Sequence, residues 1–319
     1  MKGKRYSGLF SMLSAISLAA GLMVSSGFAT VQAAGPGLEV CKNCHTDKFD
    51  SYQASKHGTK GDPRSPASNG GCVVCHTANG DATEHVKAGG GKGVGGIVNP
   101  ASKTLAADAK NAICVSCHRK DANRSHWEGS THQTRGTACV SCHSVHGPDK
   151  VRNKVTQPEV CFTCHKQQRT EVNRPSRHPI LEGKVACSDC HNPHGSVGPK
   201  LMKRDSVVDT CYQCHAEKRG PFVHNHEPVS EDCSNCHNPH GTTAESMLKA
   251  RSPFLCHQCH TPHGGFPAQL TGRSQATATS SGKQGVNFTQ GRGCLNCHTQ
   301  IHGSNNPSFT NPTPQFMFR

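Results

Sequence analysis

A chain of 319 residues with 33% hydrophobic and 5% aromatic residues, 33 Gly and 19 Pro, at a mean hydropathy of −0.60, cannot build an ordinary apolar core and reads by composition as disordered. Its 20 Cys change that reading, because grouped cofactors would supply the missing apolar surface. The formal charge of +14 invites a nucleic-acid or anionic-membrane partner, and the chemistry below gives those cations another use.

At the start of the chain, Lys2, Lys4 and Arg5 precede an apolar run from Leu9 to Val24. Val31-Gln32-Ala33 then offers small-residue cleavage sites after Ala33 or Ala34, so residues 1–34 read as a Sec signal peptide. No later stretch approaches the roughly 18 apolar residues of a transmembrane helix. The mature chain is expected in the periplasm, soluble by itself. Free thiol pairs there would tend to be oxidised, a fate that thioethers escape.

C-x-x-C-H then recurs ten times and uses every cysteine. The motifs are Cys41, Cys44 and His45; Cys72, Cys75 and His76; Cys114, Cys117 and His118; Cys139, Cys142 and His143; Cys161, Cys164 and His165. They continue with Cys187, Cys190 and His191; Cys211, Cys214 and His215; Cys233, Cys236 and His237; Cys256, Cys259 and His260; Cys294, Cys297 and His298. This is the attachment signature of c-type haem. Two thiols one helical turn apart add to the haem vinyl groups, and the next residue, His, ligates the iron. With 23 His in 319 residues, chance would put fewer than one behind ten C-x-x-C pairs. Zinc sites do not require His directly after the second Cys, and a thioredoxin-like motif would need a βαβ context. Ten covalently bound c-type haems are therefore expected. The signal's three basic residues removed, +11 remains, and twenty propionates together with ten ferric haem irons would bring the total to about +1; no nucleic-acid partner is expected.

The motif spacings are 31, 42, 25, 22, 26, 24, 22, 23 and 38 residues. CVSCHSVHG at Cys139, CSDCHNPHG at Cys187 and CSNCHNPHG at Cys233 are each followed 22 to 24 residues later by another motif. That is an internal repeat of 48 and then 46 residues, two haems each, and such arrays are elongated. Residues 87–96 (KAGGGKGVGG) read as a flexible loop without the Gly-Lys-Ser/Thr of a phosphate loop. Residues 274–285 read as a surface linker and 305–319 as a frayed tail.

Each iron needs a sixth ligand or stays open, and an open or Met-ligated iron would change the function. Outside the signal only Met202, Met247 and Met317 remain, too few for ten haems. Histidine has the supply. His257 sits inside its own attachment turn, which leaves His57, His85, His126, His132, His146, His178, His194, His224, His226, His240, His263 and His302. His146, His194, His240 and His263 follow a proximal histidine by three residues and precede Gly; His302 follows by four. His194 is too close to His191 to reach the opposite face of the same macrocycle, so it should serve a neighbour. His126 and His132 in HWEGSTH are alternatives, as are His224 and His226 in PFVHNHEPV; one of each gives ten. Saturated irons leave no substrate position, and no catalytic constellation stands out: Glu231-Asp232 is a short surface run.

The ten motifs, HWEGSTH before the fourth, CHNPHG twice and the terminal CLNCHTQIHGSN resemble the periplasmic decahaem cytochromes of the MtrA/DmsE type, the iron-oxidising MtoA- and PioA-like members included. The resemblance covers nearly the whole mature chain. It implies a multihaem cytochrome c fold: elongated, mostly loop with short α-helices and little β, its core built from ten stacked haems. It implies two pentahaem halves, 35–180 and 181–319, and selects His132 over His126 and His226 over His224. Its implied function is electron transfer between periplasmic or inner-membrane cytochromes and the cell exterior, through an outer-membrane β-barrel porin and on to an outer-surface multihaem cytochrome, in Fe(III) reduction or Fe(II) oxidation. The alternative expectation is a soluble periplasmic oxidoreductase or shuttle acting directly on iron or on a terminal reductase.

Overall fold

The computed structural model describes residues 37–260, 294–296 and 298–305. The segment read as a signal peptide, the 274–285 linker, His263, Cys297 and the tail beyond residue 305 lie outside them. The described chain is mostly loop with short helices. In order these are α1 (Leu38–Lys42), α2 (Thr46–Gln53), α3 (Val73–His76), α4 (Thr83–Lys87), α5 (Ala107–His118) and α6 (Thr131–Thr134). There follow α7 (Gln157–Cys161), α8 (Lys166–Glu171), α9 (Cys187–Cys190), α10 (Val207–Cys211) and α11 (Glu227–Glu231).

The helices are short because the motif itself is one helical turn. In nine motifs the histidine N–H donates to the carbonyl of the first cysteine at 2.8–3.0 Å; the third motif forms the last turn of α5. That turn puts the two cysteines, three residues apart, on one face. Single turns are marginal in water, so something packed on them must hold them.

The polypeptide supplies little of that packing. Phe162, Val172 and Ile180 form a buried apolar cluster, with Val185 against it. Three such side chains contribute about 1.5–3 kcal/mol each, whereas ordering the backbone costs about 1–2 kcal/mol per residue. Among the described residues no strand forms. Isolated bridges pin loops instead: Thr77 to Ile97, Ser176 to Thr242, His191 to Met202, His224 to Ser304 and His237 to Leu248. No helix among the described residues is long and apolar enough to cross a membrane.

Candidate functional site

The histidines come together in facing pairs, one partner from a motif and one from elsewhere in the chain. His45 faces His85 at 6.5 Å between ring centroids, His76 faces His146 at 6.0 Å and His118 faces His57 at 6.0 Å. His143 faces His194 at 5.9 Å, His165 faces His132 at 6.1 Å and His191 faces His240 at 6.2 Å. His215 faces His178 at 6.3 Å, His237 faces His302 at 6.1 Å and His260 faces His226 at 5.9 Å. The spacing fits one metal between each pair: metal–imidazole bonds of about 2.0–2.1 Å on opposite faces put ring centroids about 6 Å apart. A cleft of about 500 Å³ beside the fourth motif, lined by Cys142, His143, His146, Val160 and Thr163, has the size of a cofactor pocket. Burial pushes His57, His146, His191, His194, His226, His240 and His302 below the ordinary histidine range. That keeps them neutral, the form that ligates.

The pairing follows a rule along the repeat. Each interior repeat carries a histidine ahead of its first motif and another three residues behind that motif. The leading histidine faces the repeat's own second motif, as His132 faces His165 and His178 faces His215. The trailing histidine reaches back to the first motif of the preceding repeat. Thus His194 faces His143 rather than its neighbour His191, and His240 faces His191. The first motif has a separate partner, His85.

Hydrogen bonds fix these rings. The Nδ1 of His132 lies 2.8 Å from the carbonyl of Pro193, and that of His178 lies 2.8 Å from Pro239. The His226 ring lies beside the backbone carbonyl of Ile301. Each of those carbonyls belongs to the residue just before a trailing histidine, so the leading histidine of one repeat is tied to the next. An Nδ1–H donated this way leaves Nε2 for a metal. The alternatives sit otherwise. His126 is exposed, and His224 spends its backbone N–H and C=O on the bridge to Ser304.

Other anchors were invisible in the sequence. Lys200 and Leu201, at φ 53° and 58°, and Ser246 and Met247, at 53° and 57°, are paired left-handed residues without glycine. Their turns aim carbonyls at the motif rings: Lys200 O lies 3.0 Å from His191 Nδ1 and Ser246 O 2.8 Å from His237 Nδ1. A recurring Leu-Met-Lys and Met-Leu-Lys behind each CHNPHG was the available signal. Buried Asn111 accepts from the N–H of Cys139, and buried Gln157 accepts from Ser188 N–H, tying α5 and α7 to the following motifs.

Gly195, directly behind His194, is at φ 111°, and a Cβ there would collide with the carbonyl of His126. Gly195→Ala should therefore destabilise the protein by roughly 2–4 kcal/mol, combining left-handed strain with overpacking. Denaturant unfolding followed by haem absorbance measures it; a change below about 0.5 kcal/mol, the scale of ordinary surface substitutions, would contradict the clash.

The cysteines give the order of the sites. The first cysteines of consecutive motifs lie beside each other in Cys41–Cys72, Cys114–Cys139, Cys161–Cys187, Cys211–Cys233 and Cys256–Cys294. The second cysteines lie within electrostatic reach in Cys75–Cys117, Cys142–Cys164, Cys190–Cys214 and Cys236–Cys259. Taken alternately, these neighbours follow the motifs from Cys41 to Cys294 in sequence order.

The family described as the doubled C-x-x-C-H motif matches residues 132–170, 178–220 and 226–271. The chain is 43% identical over 275 residues to the multihaem cytochrome MtrA of Shewanella baltica, covering 85% of this chain and 80% of that protein. It is 26% identical over 192 residues to the cytochrome c-type protein NrfB of Escherichia coli O6:H1, covering 54% of this chain and 97% of that protein.

Proposed function

The chain belongs to the MtrA family of multihaem c-type cytochromes, and from that premise we propose that it is a decahaem conduit carrying electrons between periplasmic carriers and the cell exterior through an outer-membrane porin. Haem iron supplies the one-electron chemistry. The observation that supports the proposal is the facing histidine pair found at each of nine consecutive motifs, from His45 to His260. Sites set close together in series pass charge along the chain, and facing imidazoles leave a substrate no place to bind.

In this reading the twenty cysteines attach ten haems and each motif histidine is a proximal ligand. The distal ligands are His85, His146, His57, His194, His132, His240, His178, His302 and His226 in the order of the first nine motifs. His263 is left for His298. The halves 35–180 and 181–319 divide the middle of the array between the fifth and sixth motifs. A periplasmic or inner-membrane cytochrome would meet one end, and an outer-surface multihaem cytochrome the other. Export by the segment 1–34 puts the mature protein in the periplasm. There the porin's lumen shields a polar chain that cannot enter lipid. Reduction or oxidation of iron is then the chemistry outside the cell.

The test is reconstitution with the candidate barrel in liposomes that hold an internal electron acceptor. Reductant added outside should reduce it only when both proteins are present. If the cytochrome never binds a barrel yet oxidises or reduces iron rapidly in free solution, the conduit gives way to the soluble oxidoreductase.

A further inference from the structure

Backbone carbonyls recur as ring partners of the repeat histidines, and two carboxylates interrupt the pattern. At the proximal position of the repeats, His76, His191 and His237 meet the carbonyls of Val98, Lys200 and Ser246. The equivalent His143 instead has Asp149 Oδ2 at 2.9 Å. At the trailing position, His146 meets the carbonyl of Lys48, and His194 meets the backbone of Asn123. The equivalent His240 has Glu171 Oε2 at 3.2 Å. Both carboxylates are enclosed: the Glu171 side chain is 8% exposed and that of Asp149 is 22% exposed. Glu171 is further held by Gln167 Nε2 at 3.0 Å. A third acid, Glu217, lies 3.7 Å from His215 with both side chains more than half exposed, beyond hydrogen-bond reach and screened by water.

We propose that Asp149 and Glu171 are positioning residues that lower the redox potential of two centres, His143–His194 and His191–His240, which bracket the His132–His165 centre in the middle of the array. The inference rests on the histidine assignments above. At 2.9 and 3.2 Å, a carboxylate draws on the Nδ1–H more strongly than a carbonyl does. The imidazole becomes a stronger electron donor to its metal. One electron gained by the centre also adds negative charge beside the carboxylate, with no proton needing to arrive or leave. At low effective dielectric that repulsion is large. Arg174, close to Glu171, offsets part of it. Both effects favour the oxidised centre. Electrons would then collect toward the two ends, while the sites on either side of the middle stay oxidised.

The experiment is a spectroelectrochemical titration of the full-length mature protein and three variants. In the wild type, two tenths of the haem absorbance should reduce last. Glu171→Gln and Asp149→Asn should each move one of those tenths upward. At its original midpoint the reduced-to-oxidised ratio should rise about tenfold, which is about 59 mV for a one-electron couple. Glu171→Asp, which keeps the charge, should move it less than Glu171→Gln does. Curves that superimpose on the wild type overturn the proposal, as does an equal shift in Glu171→Asp and Glu171→Gln. A high-spin haem in Glu171→Gln overturns it too, because the carboxylate would then hold the ligand rather than tune it. Failure of the histidine assignment reads separately: His240→Ala would then leave every haem low-spin.

Discussion

Replacing Cys187 and Cys190 together by alanine should abolish electron transfer across the reconstituted membrane while the other nine haems stay attached. The sixth motif lies beside the fifth at Cys161 and near the seventh at Cys214. Electrons entering at one end would therefore have to cross the width of an absent centre, and transfer should fall to the rate of liposomes without cytochrome. The variant must still bind its barrel and show nine haems by intact mass. Transfer at the wild-type rate would mean that the sites are not used in series, and the conduit reading would be lost.

The second large effect separates two histidines six residues apart. His132→Ala should turn one low-spin haem high-spin and open one iron per protein to carbon monoxide, whereas His126→Ala should do neither. The ring of His132 stands 6.1 Å from His165, while His126 is exposed and only its backbone carbonyl packs against Gly195. His226→Ala and His224→Ala should divide in the same way, because His226 faces His260. Electron paramagnetic resonance of the ferric protein and carbon monoxide titration of the ferrous protein measure both. A high-spin signal in His126→Ala, with none in His132→Ala, would reverse the assignment.

The contrast shows which parts of the site the sequence could carry. Attachment was legible, because C-x-x-C-H is local: its geometry closes within one turn, as at Cys187 to His191. The trailing histidines were legible as a type, because a histidine three residues on and then a glycine recur behind four of the motifs. Their targets were not. His146 meets His76 and His302 meets His237 across intervening motifs, and sequence distance says nothing about which loop folds back on which. The two left-handed pairs were hidden for another reason. Lys200-Leu201 and Ser246-Met247 adopt a conformation that composition advertises only through Gly or Asn. Asp149 and Glu171 were equally silent, as ordinary acids in polar stretches whose role depends on a ring brought to them by distant chain. The expectation of short helices and little β held because single motif turns leave no room for longer elements.

The backward reach of each trailing histidine also governs how such a chain can change length. Ending it before His240 would strand His191 without its facing ring, so a clean deletion at the C-terminal side does not exist. Inserting one whole repeat between two interior ones breaks a single handshake and makes two, and every imidazole stays matched. The first motif is matched by its own special partner, His85, which no interior repeat could replace. Lineages of this architecture can therefore lengthen or shorten by whole interior units, while their two ends stay fixed.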